Sequence, residues 1–223
     1  MTRNMQILAS LGLSFNTKTI KSGVIRDTAG NDCDFKIELG WDIQSANSCD
    51  LSWRAYRIKL AEYLDANFQQ SEINDILKQI PTEDCHWCWV NKSKAFNSDE
   101  YSWFFFHTDE VESVCLTYHP KSSELKDSNI FYIEYIAIAP WNRDDPYKSK
   151  KFKGIGSLLI KEVLKYFIDT KGYELGFSLH SLPQAVGFYQ RIGMQHVSSA
   201  DKEGLRYFEM PDDKAAEFMG EAL

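Results

Sequence analysis

The feature that most constrains the fold is an alternation of strand and helix patterns in the second half of the chain. Residues 129–139 read NIFYIEYIAIA, an apolar run that ends at Pro140. A helical pattern over residues 154–169 follows, and then a second apolar strand over 173–179. Two strands joined through a helix run parallel and are connected by a right-handed crossover. The chain is therefore predicted to contain a sheet with a parallel strand pair.

The first half of the chain has patterns of antiparallel structure and short helices. Residues 20–26 and 34–39 are β-rich and flank the turn-forming segment DTAGND, which predicts a hairpin. Helical spacing predicts helices over residues 52–68 and 71–80, the second capped by Ser71 and followed by Pro81. Aromatic or alternating runs predict three strands, over residues 86–90, 101–107 and 112–118, with 91–100 as a loop between the first two.

The end of the chain completes a mixed fold. A helix is predicted over residues 182–192, with Pro183 in its first turn and Gly193 at its end. Two final strands are predicted over 195–199 and 204–209. Antiparallel strands followed by a strand–helix–strand–helix unit predict the fold class α/β (α+β), a mixed, mostly antiparallel sheet flanked by helices.

The charge balance excludes some classes of partner. The 223 residues include 32 Asp and Glu against 25 Lys and Arg, a net charge of −7. Nucleic acid and anionic membranes both require a cationic surface, so we expect neither as a partner. No apolar run approaches the ~18 residues of a membrane helix, and the first residues lack the pattern of a signal peptide. Five scattered cysteines argue against a disulfide framework, so we expect a reducing, cytoplasmic location.

A basic loop leads from the first of these strands into Gly154-Ile155-Gly156 at the start of a helix. The first turn of a helix has unpaired N–H groups and the positive end of the dipole, which together attract phosphate. Glycines allow the backbone to approach such a group closely. Four lysines crowd the same turn and can neutralise a diphosphate: Lys148, Lys150, Lys151 and Lys153. The other interpretation is a tight turn in a solvated loop, since neither a dinucleotide nor a Walker fingerprint is complete.

A second motif lies downstream, where residues 185–194 read AVGFYQRIGM. The pair K-x-x-G-x-G after a strand ending in Pro, then A-x-x-F-Y-x-x-x-G-M, resembles the GNAT superfamily of acetyl-CoA-dependent N-acetyltransferases. The resemblance is good over residues 129–194 and extends to topology from about residue 50. It is absent from residues 1–49. We therefore predict an N-terminal hairpin extension over 1–49, which extends the sheet or forms a homodimer contact, and an acyltransferase domain over 50–223.

The resemblance implies a cofactor site and an acid. Acetyl-CoA would bind where two parallel strands splay apart, with its pantetheine arm along the first strand and its diphosphate on the glycine loop. Tyr189 matches the family tyrosine near the CoA sulfur, which can protonate the leaving thiolate. Its other interpretation is a core aromatic beside Phe188. The cofactor-binding residues implied are Ile136, Ala137, Ile138, Lys151, Phe152, Lys153, Gly154, Ile155, Gly156, Ser157 and Ser181.

The sequence departs from the family pattern at three places. Lys151 stands where an Arg or Gln is usual, which keeps the charge but not the planar fork. Leu182 stands at the place of a usual Asn, with Ser181 beside it. The loop between Pro140 and Lys151 is longer than usual.

Glu134 is the candidate base, because burial of an acidic residue in an apolar strand would raise its pKa. The other interpretation is that Glu134 faces solvent or pairs with a lysine. Cys85-His86-Trp87-Cys88 invites a zinc site, but a second Cys/His pair at suitable spacing does not follow, so no metal is expected.

The sequence therefore predicts an N-acetyltransferase that moves an acetyl group from acetyl-CoA to a primary amine, on a small molecule or an exposed protein residue. The overall acidity would attract a cationic amine. Two alternatives remain: a non-catalytic module of the same fold that binds CoA or a protein partner, and a nucleotide-binding protein that uses residues 151–156.

Overall fold

The computed structural model describes residues 17–220. Within these residues, eight strands form one sheet in the order β1-β2-β3-β4-β5-β6-β8-β7. Among the described strands, β5 and β6 run parallel and the other neighbours pair antiparallel, so the predicted fold class is confirmed. The strands are β1 Lys18–Arg26, β2 Asp32–Leu39, β3 Tyr101–His107, β4 Val111–Ser122, β5 Asn129–Ile138, β6 Phe177–Ser181, β7 Gln195–His196 and β8 Arg206–Glu209.

Helices cover both faces of this sheet. A core of Phe131, Phe167 and Phe177 joins the sheet to α5, while a second core of tryptophans joins the other face to α1 and α4. A π-turn at Cys49–Trp53 continues α1 into α2. The helices are α1 Ile43–Ser48, α2 Arg54–Asn67, α3 Gln70–Gln79, α4 Trp89–Ala95, α5 Ile155–Lys171, α6 Val186–Arg191 and α7 Asp212–Gly220.

The predicted N-terminal hairpin is confirmed as β1 and β2. Strand β2 pairs with β3, so the hairpin extends the same sheet. Phe35 of β2 stacks on Phe106 of β3 at a ring-centroid distance of 4.9 Å. Residues 1–16 of the predicted extension lie outside the described residues. The division at residue 49 and the homodimer contact stay predictions.

The predicted strand over 86–90 is wrong, because these residues lead into helix α4. The carboxylate of Asp50 accepts the backbone N–H of Trp89 at 2.8 Å and that of Val90 at 3.1 Å. A carboxylate that accepts the first N–H groups of a helix stabilises the helix start. This cap comes from a distant segment, so the local aromatic pattern favoured a strand instead.

Several helix and strand boundaries also differ from those predicted from the sequence. Strand β6 begins at Phe177, because Gly172 ends α5 in the left-handed region (φ 68°) and Gly176 turns the chain at φ 116°. The predicted helix over 182–192 is a 3-10 turn at Pro183–Ala185 followed by α6. Helix α3 is capped by Gln69 and Glu72 rather than by Ser71.

The described residues were also expected to contain neither a membrane helix nor a disulfide framework. Within residues 17–220 no helix is both long and apolar enough to span a bilayer. All five cysteines lie in this range, and none forms a disulfide there.

Candidate active site

The parallel strands β5 and β6 separate part-way along their length. Their pairing runs from Phe131–Phe177 to Ile133–Leu179 and then ends, although β5 continues to Ile138 and β6 to Ser181. A cleft of about 540 Å³ opens where they diverge. It is lined by ten of the residues proposed from sequence: Ile136, Ala137, Ile138, Phe152, Lys153, Gly154, Ile155, Gly156, Ser157 and Tyr189.

The N-terminus of α5 forms one end of this cleft. Gly154 adopts a left-handed conformation (φ 76°, ψ 3°), which a residue with a Cβ rarely tolerates. The N–H of Leu158 makes the first helical bond, to the carbonyl of Gly154 at 2.9 Å. The N–H groups of residues 155–157 therefore precede the helical ladder and lie at the cleft, where they suit an anion.

A buried carboxylate, Glu112 of β4, anchors the loop that leads to α5. Its oxygens accept the side chains of Trp141 at 2.6 Å, Asn142 at 2.7 Å and Lys151 at 3.0 Å. The Thr108 hydroxyl also donates to it at 2.6 Å. Because Glu112 is fully buried, these partners compensate the cost of removing the charge from water. Sequence analysis missed Glu112, which looked like one more residue of an alternating strand.

Lys151, predicted to bind the diphosphate, lies beside the buried carboxylate of Glu112. Its Nζ pairs with Glu112 and is not part of the cleft lining, so its charge serves the loop anchor in this structure. Lys150 and Lys153 line the cleft instead. Lys150 Nζ lies 2.7 Å from the exposed Asp144, a pair that an anion in the cleft could replace.

Tyr189 of α6 lines the cleft and is buried, with 6% of its surface exposed. Burial raises its pKa well above the usual value of 10, and neighbouring Cys115 and Tyr132 add to the effect. Tyr189 therefore carries its proton at neutral pH, as a proton donor must. It also packs edge-on against Phe188, as its interpretation as a core aromatic requires, while its role as the acid stays a prediction.

Glu134 and Ser181 lie outside the lining of the cleft. Glu134 is the extra residue of a bulge in β5, since Tyr135 pairs with Leu116 and Ile133 pairs with Thr117. Burial raises the pKa of Glu134, while nearby Lys202 and Lys92 oppose that shift. Ser181 is buried, and its hydroxyl donates to the carbonyl of Leu182 at 2.8 Å. Its contact with the cofactor stays a prediction.

Lys92 of α4 lies over aromatic rings beside Glu134. Its Nζ is 3.1 Å from the ring centroid of Tyr135 and 4.9 Å from that of Trp87. Burial lowers the pKa of Lys92 to about 8, partly offset by Glu134. The face of the sheet opposite α5 therefore combines one carboxylate, two lysines and aromatic rings near the start of the splay.

A tyrosine–histidine pair lies where β5 and β6 last pair. The carbonyl of Ala200 lies 2.9 Å from His180 Nε2, so that nitrogen carries the proton. His180 Nδ1 then accepts the Tyr132 hydroxyl at 2.7 Å. Burial lowers the pKa of His180, which favours the neutral imidazole at neutral pH. Sequence analysis gave His180 no role, because the two residues are 48 positions apart and no motif links them.

The wall of the cleft near the end of β5 contains an ion pair. Arg143 donates to the Asp84 carboxylate through both terminal nitrogens, and to the carbonyl of Ile138 at 2.8 Å. Gln184 and the turn at 82–83 exchange two hydrogen bonds across the same cleft, at 3.1 and 3.2 Å. These contacts join the α3–α4 connection to the splayed strands and fix the shape of the opening.

Within residues 17–220, no group of three or more His, Cys, Asp or Glu side chains is arranged to hold a metal ion. Cys88 Sγ instead donates to Asp50 at 3.2 Å.

One segment of the chain matches a known protein family. Residues 147–212 match the family model described as the acetyltransferase (GNAT) domain. No curated protein matches the chain.

Several solved structures are similar at low identity. A putative acetyltransferase from Exiguobacterium sp. 255-15 is 18% identical, with 84% of this chain and 99% of that chain covered and a TM-score of 0.44. Apo FdhC, described as a nucleotide-linked sugar GNAT, is 13% identical over 88% and 94% of the two chains, with a TM-score of 0.47. The spermidine/spermine N-acetyltransferase SpeG from Vibrio cholerae is 18% identical over 58% and 73%, with a TM-score of 0.37.

The matched segment contains α5, β6, α6, β7 and β8, and with them the glycine turn and Tyr189 that line the cleft. Residues 147–212, which contain the glycine loop and the A-x-x-F-Y motif, are similar to the acetyltransferase (GNAT) domain, in agreement with the resemblance first seen in those motifs.

Proposed function

We propose that this protein is an N-acyltransferase that transfers an acetyl group from acetyl-CoA to a primary amine within a ternary complex. The observation that carries the proposal is the cleft between β5 and β6, which ends on the glycine turn of α5 and on two lysines. A long, phosphorylated acyl donor fits such a cleft, because one end is apolar and the other suits an anion.

The donor would lie along the cleft in a defined direction. Its diphosphate would bind the N–H groups of residues 155–157, with Lys150 and Lys153 as counter-charges. Its pantetheine arm would lie on the edge of β5 over residues 136–138, where β6 has separated and the backbone can hydrogen-bond a ligand. The thioester would then lie between the splay and Tyr189.

The chemistry requires two proton movements. The amine nitrogen attacks the thioester carbonyl carbon, a C–N bond forms and the C–S bond breaks. The nitrogen loses one proton to a base, and the departing thiolate takes one proton from Tyr189. Positioning of the two substrates supplies much of the remaining acceleration.

Glu134 is the first candidate for that base, because its raised pKa reflects a partly buried carboxylate beside the splay. The Tyr132–His180 pair is the second, since Tyr132 can pass its proton to His180 Nδ1 as it takes one from the amine. Two matched substitutions separate them. Glu134→Gln alone lowers kcat if the carboxylate is the base, and His180→Gln alone lowers it if the pair is the base.

Calorimetry tests the donor assignment. The wild-type chain is titrated separately with acetyl-CoA, CoA and ATP. We expect acetyl-CoA and CoA to bind with similar affinity and ATP to bind much more weakly, because ATP lacks the pantetheine arm. Tight binding of ATP without binding of CoA would replace the proposal with a nucleotide-binding function.

A further inference from the structure

The tip of the N-terminal hairpin contacts the loop that precedes α5. The backbone N–H of Thr28 donates to the carbonyl of Lys151 at 2.9 Å. The Thr28 hydroxyl donates to the carbonyl of Lys150, a residue 122 positions later in the chain. These two adjacent carbonyls belong to the segment that enters the glycine turn at Gly154, so the hairpin tip holds this segment directly.

The turn at the hairpin tip is stabilised by its own hydrogen bonds. Asp27 accepts the backbone N–H of Asn31 at 2.8 Å and its side-chain amide at 2.9 Å. The N–H of Asp27 donates back to the carbonyl of Asn31 at 2.9 Å, and Gly30 supplies the left-handed residue (φ 95°) that closes the turn. Thr28 therefore projects from a turn with its own internal hydrogen bonds.

The hairpin is also fixed to the body of the protein. Four residue pairs join β2 to β3, and Phe35 and Ile37 are buried in the core shared with α5. Lys21 of β1 lies 3.6 Å from Glu162 of α5. The hairpin therefore contacts both α5 and the loop before it, so the position of Thr28 is set relative to the glycine turn.

On its other side the same loop is held by Glu112 and Asn142. Lys151 Nζ pairs with Glu112, and the N–H of Phe152 donates to Asn142 Oδ1 at 3.0 Å. The segment is thus held between a buried carboxylate on one side and Thr28 on the other. Lys150 and Lys153, which line the cleft, lie next to these anchored positions.

We propose that Thr28 is a positioning residue for the phosphate end of the acyl donor. The inference rests on the proposed function, since it assigns the cleft to acetyl-CoA. Thr28 holds the backbone at Lys150 and Lys151 so that the N–H groups at the start of α5 and the two lysines are already arranged when the donor binds. A loop that is ordered in advance loses less entropy on binding, which increases affinity.

The test compares Thr28→Val with Thr28→Ser. Valine keeps the β-branched shape and removes the hydroxyl, whereas serine keeps the hydroxyl. Ser22→Ala is the control, because it removes an exposed hydroxyl from β1 of the same hairpin. Three readouts are needed: hydrogen exchange of residues 150–157 in the protein alone, steady-state kinetics with acetyl-CoA, and kinetics with S-acetylpantetheine, a donor without the diphosphate and nucleotide.

The expected result is specific to the phosphate end. Thr28→Val exchanges faster over 150–157 and raises KM for acetyl-CoA roughly three- to tenfold, the effect of one hydrogen bond, with kcat unchanged. Its turnover of S-acetylpantetheine stays at the wild-type value, and Thr28→Ser behaves like the wild type in every assay.

Three results would overturn the inference: wild-type exchange in Thr28→Val, equal losses with both donors, or a Thr28→Ser variant as impaired as Thr28→Val. Failure of the proposed function looks different, because the wild-type chain then gives no heat with CoA. In that case the cofactor role of Thr28 falls with the function, while the exchange data still decide whether Thr28 holds the loop.

Discussion

Replacing Glu112 by Gln should destabilise the protein strongly, because the buried carboxylate accepts four side-chain donors. Oε2 accepts Trp141 and Asn142, while Oε1 accepts Thr108 and Lys151. The new amide group can replace either oxygen. In place of Oε2 it would face two N–H donors. In place of Oε1 it would face the Lys151 ammonium, which cannot accept a hydrogen bond. The Thr108 hydroxyl can accept one from the amide instead of donating.

The second orientation, with the amide in place of Oε1, costs less free energy of unfolding. It loses one charge-assisted hydrogen bond, worth about 1.5–3 kcal/mol, and weakens the two bonds to Oε2 by removing the charge. Lys151 Nζ recovers part of the loss, because 35% of its side chain is exposed and it can turn to water. The net expectation is about 2–4 kcal/mol, which for a chain of this size corresponds to a fall in Tm of roughly 5–15 °C.

Urea denaturation and calorimetry measure this loss. The control is Asp32→Asn, which removes a carboxylate from the exposed ion pair with Arg26 and should leave stability unchanged within error. The reasoning is refuted if Glu112→Gln unfolds at the same urea concentration as Asp32→Asn.

Four further outcomes follow from the site. Tyr189→Phe should lower kcat roughly a hundredfold while leaving the affinity for CoA unchanged, and an unchanged kcat removes Tyr189 as the acid. Gly154→Ala should lose about 1–2 kcal/mol of stability and bind CoA more weakly, because the φ of Gly154 is 76°. The control Gly187→Ala, where an added Cβ meets open space, should change neither property. Equal Tm values for the two variants would contradict this expectation. NMR should give Lys92 a titration midpoint near 8, and a midpoint near its ordinary 10.5 would show that the amine is solvated. Because a base must be ionised, kcat/KM should rise with pH through the raised pKa of Glu134. Glu134→Gln should remove this rise. If the rise persists in the variant, another group is the base.

The parts of the fold that follow from local signals were predictable. The hairpin was predicted from its turn segment, and the parallel crossover from strand β5, helix α5 and the following apolar run. These features depend on periodicity and on glycine or proline at fixed places, which a single sequence displays directly.

Features that depend on distant partners were not predictable in the same way. Helix α4 is capped by Asp50, a contact between residues about 40 positions apart, and its aromatic residues alone favour a strand. Lys151 lies in the expected motif, yet its ammonium group pairs with Glu112 of β4, a strand that no motif links to this loop. The hydroxyl of Tyr132 and the ring of His180 meet because β5 and β6 are neighbours in the sheet.

The residues predicted for the site differ in the same way. Residues 136–138 and 154–157 line the cleft, as motif and secondary structure together indicate. Ser181 and Glu134 lie outside that lining, because the direction of a side chain depends on a strand bulge and on hydrogen bonds formed in the folded protein. The binding and catalytic roles of these residues stay predictions.

Transfer of an acetyl group from acetyl-CoA to an amine is best tested by a product assay. Wild-type protein and Tyr189→Phe are incubated with acetyl-CoA and a panel of primary amines, and free thiol and acetylated amine are quantified together by mass spectrometry. We expect equal amounts of CoA and of one acetylated amine with the wild type, and far less of both with Tyr189→Phe. CoA binding without acetylation of any amine would contradict the proposed transfer and favour a non-catalytic module.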